Sequence, residues 1–186
     1  MILRLFRLLR KSTNGILVET KMERVMKKTR PSLDEYFLMI ARVVAQRATC
    51  VRHNVGAVAV KDKHIISTGY NGAAAGTKDC LELGCLRDQQ KIPSGTHHEI
   101  CRAIHAEQNA VIQAALHGGN IEGATMYCTH TPCIVCAKIL VNAKIKRLVC
   151  CNYYPDKTSE ALLKEAGITL EIHPEPKIKV HKSDRS

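Results

Sequence analysis

Three metal-binding side chains, held in two separate segments, constrain the fold of this chain more than any other feature. The first segment is the tripeptide His-Ala-Glu at 105–107, and the second is Pro-Cys-Ile-Val-Cys at 132–136. One histidine and two cysteines can bind zinc and leave its fourth position open to water, as a catalytic site requires and a structural site does not. A carboxylate two residues after the histidine can move protons beside that water. The sequence therefore predicts zinc bound by His105, Cys133 and Cys136, with Glu107 as the catalytic residue.

Helix signals surround both segments. Apolar residues recur at helical spacing from 104 to 116, before a Gly-Gly pair ends the pattern. Thr131 is a predicted N-cap and Pro132 lies near the first turn, which places Cys133 and Cys136 on one face of a second helix. The positive end of that helix dipole favours thiolates. A Cys-x-x-Cys pair is also typical of redox proteins, and this is the alternative interpretation of the second segment.

The cysteine content indicates where the protein resides. The chain has 186 residues, 45% of them hydrophobic, which is enough for one globular domain with a buried core. Its nine cysteines are odd in number and are not spaced as in a small secreted scaffold, which favours a reducing cytosol. No apolar run reaches the roughly 20 residues of a membrane span. We therefore expect a cytoplasmic protein without stable membrane association.

The net charge of +11 is concentrated at the two ends of the chain. Residues 1–30 hold nine of the 28 basic residues and only two acidic ones, and the tail 174–186 is basic as well. A nucleic-acid enzyme is expected to carry its basic surface on the folded body, so the charge does not predict a nucleic-acid partner. We expect a basic extension at 1–30, disordered or a peripheral amphipathic helix, then a domain at 31–173 and the basic tail. Met22 and Met26 leave an alternative translation start open.

Helix and strand signals alternate along the predicted domain. A helix is predicted from Ser32, its N-cap, to about Thr49, with Glu35 completing a capping box. β-Branched runs at 55–61 and 64–70, joined by Lys-Asp-Lys, predict a hairpin. Further strands are predicted at 124–129, 147–151 and 168–172, with a helix at 158–166 before the last of them. This order predicts an α/β fold with a mixed sheet and helices on both faces.

A segment at 72–101 without clear periodicity separates the hairpin from the first zinc-binding helix. A long irregular segment within a compact domain usually has a function or an internal brace. Cysteine and neutral histidine in groups of four form closed structural zinc sites. We therefore predict that Cys50, Cys80, His98 and Cys101 bind a second zinc. Buried thiols and solvated loop side chains are the alternative.

A series of segments between about Pro31 and Ile172 carries a recognisable pattern. The segments are 55–58, 68–72, 84–88, 92–95, 105–110, 121–127 and the Cys133/Cys136 pair. On these segments the chain resembles the deoxycytidylate branch of the zinc-dependent cytidine deaminase-like family. The 72–101 insertion and Gly-Tyr-Asn-Gly at 69–72 point to that branch, whereas the zinc motif is common to the superfamily. The resemblance implies a three-layer α/β/α fold with a mixed five-stranded sheet, and a hydrolase that converts dCMP to dUMP and ammonia, supplying dUMP for thymidylate synthesis.

The resemblance also implies residues that bind the substrate. Asn71 matches an asparagine that hydrogen-bonds the nucleotide, although a simple turn residue next to a glycine would look the same. The backbone N–H of Ala106 and carbonyls near Thr129 are expected at the edge of the pyrimidine, and Tyr154 is expected near the phosphate. Members of the family often form hexamers that dCTP activates and dTTP inhibits. The resemblance therefore implies a homo-oligomer with allosteric nucleotide sites and associated Mg²⁺.

Two features depart from the family pattern, and other functions compete with it. The basic N-terminus is unusual, and Cys150 stands where an aromatic residue is common. A tRNA adenosine deaminase shares the zinc motif, but resembles this chain less at 72–101 and favours a more basic body. Free-cytidine deaminases usually have a cysteine where His105 stands. A non-catalytic zinc-binding module has no use for Glu107 beside an open coordination position.

Overall fold

A mixed five-stranded sheet forms the centre of the fold in the computed structural model, which describes residues 30–177. The strands are β1 (Gly56–Lys61), β2 (His64–Tyr70), β3 (Gly72–Ala73), β4 (Ala103–Ile104), β5 (Thr125–His130), β6 (Arg147–Asn152) and β7 (Thr169–Ile172). The central sheet has the order β2-β1-β5-β6-β7, while β3 and β4 form a separate pair. Strand β1 is antiparallel to both of its neighbours, and β5, β6 and β7 are parallel. The predicted α/β class with a mixed five-stranded sheet is confirmed.

Six α-helices and one 3₁₀ turn connect these strands within residues 30–177. The helices are α1 (Leu33–Ala45), α2 (Cys80–Leu83), α3 (Leu86–Gln89), α4 (Ala106–Leu116), α5 (Ile134–Asn142) and α6 (Lys157–Glu165), and the 3₁₀ turn is His98–Ile100. No helix in this part of the chain is long and apolar enough to cross a membrane. The predictions for 1–29 and for 178–186 lie outside the described residues.

Alternation along the strands divides the core into two layers. One face of the sheet packs against α1, through the side chains of Val58, Tyr127 and Val149. The other face packs against α4, α5 and α6, through a cluster that includes Ala57, Met126, Cys128, Leu148 and Cys150. Successive side chains of a strand point to opposite faces, which is why neighbouring residues belong to different clusters. The result is the three-layer α/β/α arrangement that the family resemblance implies.

Two glycines allow the helices to approach the sheet closely. A Cβ atom on Gly56 would lie 2.1 Å from the carbonyl oxygen of Ala41 in α1. A Cβ on Gly69 would lie 2.2 Å from the carbonyl oxygen of Ala106 and 2.3 Å from the amide of Ala110, both in α4. Only glycine fits at such a close backbone approach. These two positions therefore set the distance of α1 and α4 from the sheet.

The first helix begins as predicted and ends earlier. Ser32 is the N-cap of α1, and its hydroxyl accepts a hydrogen bond from the amide of Glu35 at 3.1 Å. The helix ends at Ala45 rather than near Thr49, because the amide of Thr49 donates to the carbonyl of Asn71 instead of continuing the helix. The following segment is thereby turned toward β2.

The helix that carries the two cysteines also starts later than predicted. Cys133 itself is the N-cap of α5, so the predicted N-cap, Thr131, lies outside the helix. The Thr131 hydroxyl donates to the carbonyl of Tyr154 at 2.9 Å and accepts from the amide of Tyr154 at 2.7 Å. Cys136 lies in the first turn of α5, and His105 is the N-cap of α4.

The insertion at 72–101 has more structure than its composition suggests. It contains α2, α3 and the 3₁₀ turn, and the β3–β4 pair closes its base. Asp79 caps α2 by accepting hydrogen bonds from the amides of Leu81 and Glu82, with the Glu82 side chain completing a capping box. These elements enclose one side of the metal-binding region.

Candidate metal centre and substrate cavity

The starts of α4 and α5 bring the predicted zinc ligands together. Within the described residues, the ligand atoms of His105, Cys133 and Cys136 all lie within 4.8 Å of one another. Nδ1 of His105 lies 3.5 Å from Sγ of Cys133 and 3.3 Å from Sγ of Cys136. A tetrahedral zinc with ordinary Zn–S and Zn–N bonds separates sulfur from nitrogen by about 3.6 Å. The spacing of the three side chains therefore fits zinc.

Hydrogen bonding already favours one thiolate in this group. Contacts from Cys136 and then from His105 lower the pKa of Cys133 to about 4, whereas the shared hydrogen bond raises the pKa of Cys136. The contact with Cys133 also raises the pKa of His105. A bound metal ion would displace the thiol protons, because thiolates are the ligands.

Glu107 lies in the first turn of α4, directly behind the metal ligands. Its side chain is 5% exposed, and burial raises the pKa of its carboxyl group. It also lines the cavity above the His-Cys-Cys group. A buried carboxyl beside the metal ligands is placed to take and return a proton, as an acid–base catalyst does.

The cavity is lined by residues of the insertion as well as by the sheet ends. Its walls include the metal ligands His105 and Cys133, and the other lining residues that bear on function are Cys50, Arg52, His53, Asn71, Cys80, Cys85, Arg87, Ser94, His98, Cys101, Ala106, Glu107, His130 and Tyr154.

Four buried side-chain nitrogen and oxygen atoms within residues 30–177 have no hydrogen-bond partner, and all four belong to residues that line this cavity. They are Nη1 of Arg52, Nε of Arg87, Nδ1 of His98 and the hydroxyl of Tyr154. A buried polar group without a partner costs free energy, so such groups rarely occur unless something else satisfies them. Their position on one cavity indicates a polar ligand with several acceptor atoms.

The two guanidinium groups are held in place from the insertion. Arg52 donates from Nε to a carboxylate oxygen of Asp88 at 2.8 Å, and from Nη2 to the carbonyl of Ile92 at 2.8 Å. Arg87 is 7% exposed and donates from Nη2 to the carbonyl of Pro93 at 2.8 Å. Sequence reasoning missed both arginines. No periodicity distinguishes them, and only the position of Arg87 in the segment 84–88 could have drawn attention to it.

Three of the predicted substrate-binding residues line the cavity. Asn71 is 6% exposed, and its side chain accepts from the amide of Val55 at 2.8 Å and donates to the carbonyl of His53 at 2.7 Å. It therefore shapes the cavity wall and keeps one N–H and one lone pair for a ligand. Ala106 and Tyr154 also line the cavity.

The polar groups of Thr129 have partners within the protein, and its contact with the substrate stays a prediction. Its carbonyl accepts a hydrogen bond from Nδ2 of Asn152 at 2.9 Å, and its hydroxyl accepts from the amide of Gly56 at 3.2 Å. Thr129 is not among the residues that line the cavity. Its polar groups join neighbouring strands, and the adjacent His130 reaches the cavity instead.

The four predicted ligands of the second zinc are not gathered at ligand distance. Besides the catalytic group, the only set of potential metal ligands within 4.8 Å of one another in residues 30–177 is Asp34, Glu171 and His173. His98 stands against His105, with ring centroids 5.1 Å apart, and this contact directs it toward the catalytic ligands. Cys50, Cys80 and Cys101 line the same cavity together with Cys85.

The Cys80 thiol is buried and lies close to the other three cysteines of this region. Burial is the main cause that raises its pKa, and the proximity of Cys50, Cys85 and Cys101 raises it further.

Comparisons with known proteins agree on one family. The family model for the cytidine and deoxycytidylate deaminase zinc-binding region matches residues 31–152 of this sequence. The chain is 38% identical over 143 residues to the ComE operon protein 2 of Bacillus subtilis (strain 168), covering 76% of this chain and 71% of that protein. It is 40% identical over 126 residues to the deoxycytidylate deaminase of Mycobacterium phage D29, covering 65% of this chain and 95% of that protein.

A solved structure agrees as well. The dCMP deaminase of cyanophage S-TIM5, solved in complex with dCMP and dUMP, superposes with a TM-score of 0.64. The two sequences are 29% identical, and the match covers 78% of this chain and all of that one.

Proposed function

The chain belongs to the cytidine and deoxycytidylate deaminase family, and from that membership we propose that it hydrolyses dCMP to dUMP and ammonia. The observation that carries this proposal is the placement of Glu107, buried beside a zinc-sized His-Cys-Cys group on the wall of a cavity. A structural zinc site has four protein ligands and no need for such a carboxylate. The dUMP formed is a substrate for thymidylate synthesis.

His105, Cys133 and Cys136 would hold zinc, which would lower the pKa of a water molecule so that hydroxide is available near neutral pH. Glu107 accepts the proton of that water and delivers it to N3 of the cytosine ring. Addition of the water oxygen to C4 of the cytosine ring makes that carbon tetrahedral. Glu107 then transfers the remaining hydroxyl proton to the amino nitrogen, so that ammonia leaves and the C4 carbonyl of uracil remains.

The unpartnered atoms of the cavity support a nucleotide as the substrate rather than a nucleoside. Arg52 and Arg87 bring two guanidinium groups to one wall, and the hydroxyl of Tyr154 is a further donor. Guanidinium groups bind phosphate oxygens through charge-assisted hydrogen bonds, which are stronger than neutral ones. These three donors match the acceptor oxygens of a 5′-phosphate, and the lining of the cavity by Asn71 and Ala106 supports contacts of these two residues with the sugar and the base.

We propose a second zinc at the cysteines of the insertion. Three of the predicted ligands, Cys50, Cys80 and Cys101, line one part of the cavity, and Cys85 beside them is a further thiol. His98 would have to turn away from His105 in order to complete the predicted set. Two zinc ions per chain, falling to one in Cys80→Ser, are expected from metal analysis. One zinc per chain in both proteins would contradict this site.

The remaining features are proposed on the family resemblance. They are a homo-oligomer, a hexamer in the family pattern, with dCTP as activator, dTTP as inhibitor and Mg²⁺ bound with these nucleotides. A cytoplasmic location fits the nine cysteines, all of which are free thiols in the structure. The catalytic domain is assigned to 31–173, between the basic segments 1–30 and 174–186.

The first experiment measures ammonia release and the loss of cytosine absorbance. The substrates are dCMP, deoxycytidine and a tRNA anticodon stem-loop, each with and without dCTP. Turnover confined to dCMP is the expected result, and a dCTP-dependent increase would support an allosteric site. Turnover of the stem-loop alone would instead identify a tRNA deaminase, and no turnover by the zinc-loaded protein would favour a binding module.

A further inference from the structure

A single carboxylate caps two helices next to the metal centre. Oδ2 of Asp156 accepts a hydrogen bond from the amide of Ile134 at 2.8 Å, in the first turn of α5. Oδ1 of the same residue accepts from the amide of Ser159 at 2.9 Å, which makes Asp156 the N-cap of α6. Asp156 is half-buried and lies in the loop between β6 and α6.

Helix α5 needs this carboxylate because it lacks a cap of its own. The first amides of a helix have no partner within the helix, and a polar side chain at the N-cap usually satisfies one of them. The N-cap of α5 is Cys133, whose side chain makes no capping hydrogen bond. Its sulfur faces His105 instead. Asp156 supplies from another loop the acceptor that the metal ligand does not supply.

Further hydrogen bonds join the same two segments. The hydroxyl of Ser159 is 1% exposed and donates to the carbonyl of Pro132 at 2.7 Å. The hydroxyl of Thr131 both donates to and accepts from the backbone of Tyr154. The loop that ends in Asp156 and the first turn of α6 are therefore attached to the entry of α5 at three points, and the loop also carries the tyrosine of the cavity.

We propose that Asp156 is a positioning residue that fixes the first turn of α5, and with it the two thiolates, relative to the loop that carries Tyr154. Without its carboxylate the amide of Ile134 loses its acceptor, and the turn from Cys133 to Cys136 can rotate away from His105. The expected consequence is faster loss of zinc. The inference rests on the proposed function only in taking zinc as the ligand of this group, and it does not depend on the substrate.

The test compares zinc release from Asp156→Ala, Asp156→Asn and wild-type protein. Full-length zinc-loaded protein is mixed with a chromogenic chelator, and the rate of zinc transfer is followed. Loss of a supporting contact to a metal site typically costs about 10- to 100-fold in affinity, so we expect about 10-fold faster release from Asp156→Ala. Asparagine has one carbonyl oxygen for the two amides, so its release rate should lie between those of alanine and wild type.

Ser32→Ala is the matched control. It removes the N-cap hydrogen bond of α1, on the opposite face of the sheet, at a typical cost of about 1 kcal/mol. Release rates are compared at equal intervals below the melting temperature of each protein, which removes the effect of general destabilisation. We expect Ser32→Ala to release zinc at the wild-type rate.

The proposal is overturned if Asp156→Ala retains zinc as long as wild type does, or if Ser32→Ala loses it equally fast. If the alanine variant does not fold, the asparagine variant decides by the same comparison. Lack of dCMP turnover by wild type, combined with faster zinc release from Asp156→Ala, would reject the proposed substrate and leave the positioning role intact.

Discussion

The imidazole of His98 stands edge-on to the imidazole of His105, with ring centroids 5.1 Å apart and ring planes at 85°. His98 belongs to the 3₁₀ turn of the insertion, so this contact joins the insertion directly to a zinc ligand. Burial lowers the pKa of His98, and its Nδ1 atom is buried without a partner. A neutral ring with a free polar atom on the cavity wall is suited to contact the substrate.

Replacement of His98 tests this role. His98→Phe keeps a ring against His105 but removes both nitrogens, so we expect KM for dCMP to rise about tenfold, as for the loss of one buried hydrogen bond. The turnover number and the catalytic zinc should change little. Steady-state kinetics together with zinc analysis measure both. A loss of one zinc per chain, without a change in KM, would instead make His98 a ligand of the second zinc.

Replacement of Glu107 tests the proton transfers. Glu107→Gln keeps the size of the side chain but cannot accept a proton, and we expect kcat to fall by about 10²- to 10⁴-fold. Zinc content should remain at the wild-type level because Glu107 is not a ligand. The control is Glu165→Gln, which makes the same change of charge at an exposed position on α6. Turnover near that of wild type in Glu107→Gln would remove this residue from the mechanism.

The proposed phosphate contacts predict a difference between two substrates. In Arg52→Gln, KM for dCMP should rise by about 10- to 100-fold, because a hydrogen bond to a charged group is lost. The kinetics with deoxycytidine, which has no phosphate, should be the same in Arg52→Gln as in wild type. Arg47→Gln removes an exposed arginine near the end of α1 and is the control. An equal loss with both substrates would show that Arg52 supports the fold of the cavity rather than binding phosphate.

The ion pair of Arg147 with Asp34 predicts how stability depends on pH. Both terminal nitrogens of Arg147 bond to the Asp34 carboxylate, at 2.8 and 2.9 Å, and this contact first of all lowers the pKa of Asp34 to about 2. The group is charged in the folded protein down to a lower pH than in the unfolded chain. The contribution of this ion pair to the free energy of unfolding is therefore complete above the ordinary pKa of 3.8, and it is lost as the pH falls toward 2.

Urea unfolding of wild type and Asp34→Asn measures this contribution. Solvent screening reduces it, and we expect a difference in unfolding free energy of about 1 kcal/mol at pH 7. The difference should shrink between pH 4 and pH 2. Glu122→Gln, which removes the exposed pair with Lys144, should have little effect at any pH. A difference for Asp34→Asn that is independent of pH would assign its effect to packing or to the hydrogen bond with Tyr127.

Local chemistry made much of the site predictable from sequence. Histidine, cysteine and glutamate share few functions besides a catalytic zinc site. The spacing of His105, Glu107 and the Cys133/Cys136 pair near two helix starts is therefore enough to predict zinc chemistry. The strands and helices were predictable because their hydrophobic periodicity records which side chains face the core. For the same reason the class of the sheet and most element bounds agree with the structure.

Tertiary structure alone decided what surrounds the metal. Segment 72–101 has no periodicity, so nothing in its sequence predicts that His98 lies against His105 or that Arg87 lines the cavity. Nor does the sequence around Arg52, which precedes this segment, predict that Arg52 lines the cavity. The cap that Asp156 provides to α5 joins residues that are distant along the chain, and the carbonyl of Thr129 is used by a neighbouring strand. Such contacts depend on which loops meet in space, because a hydrogen bond between distant segments leaves no repeating pattern along the chain.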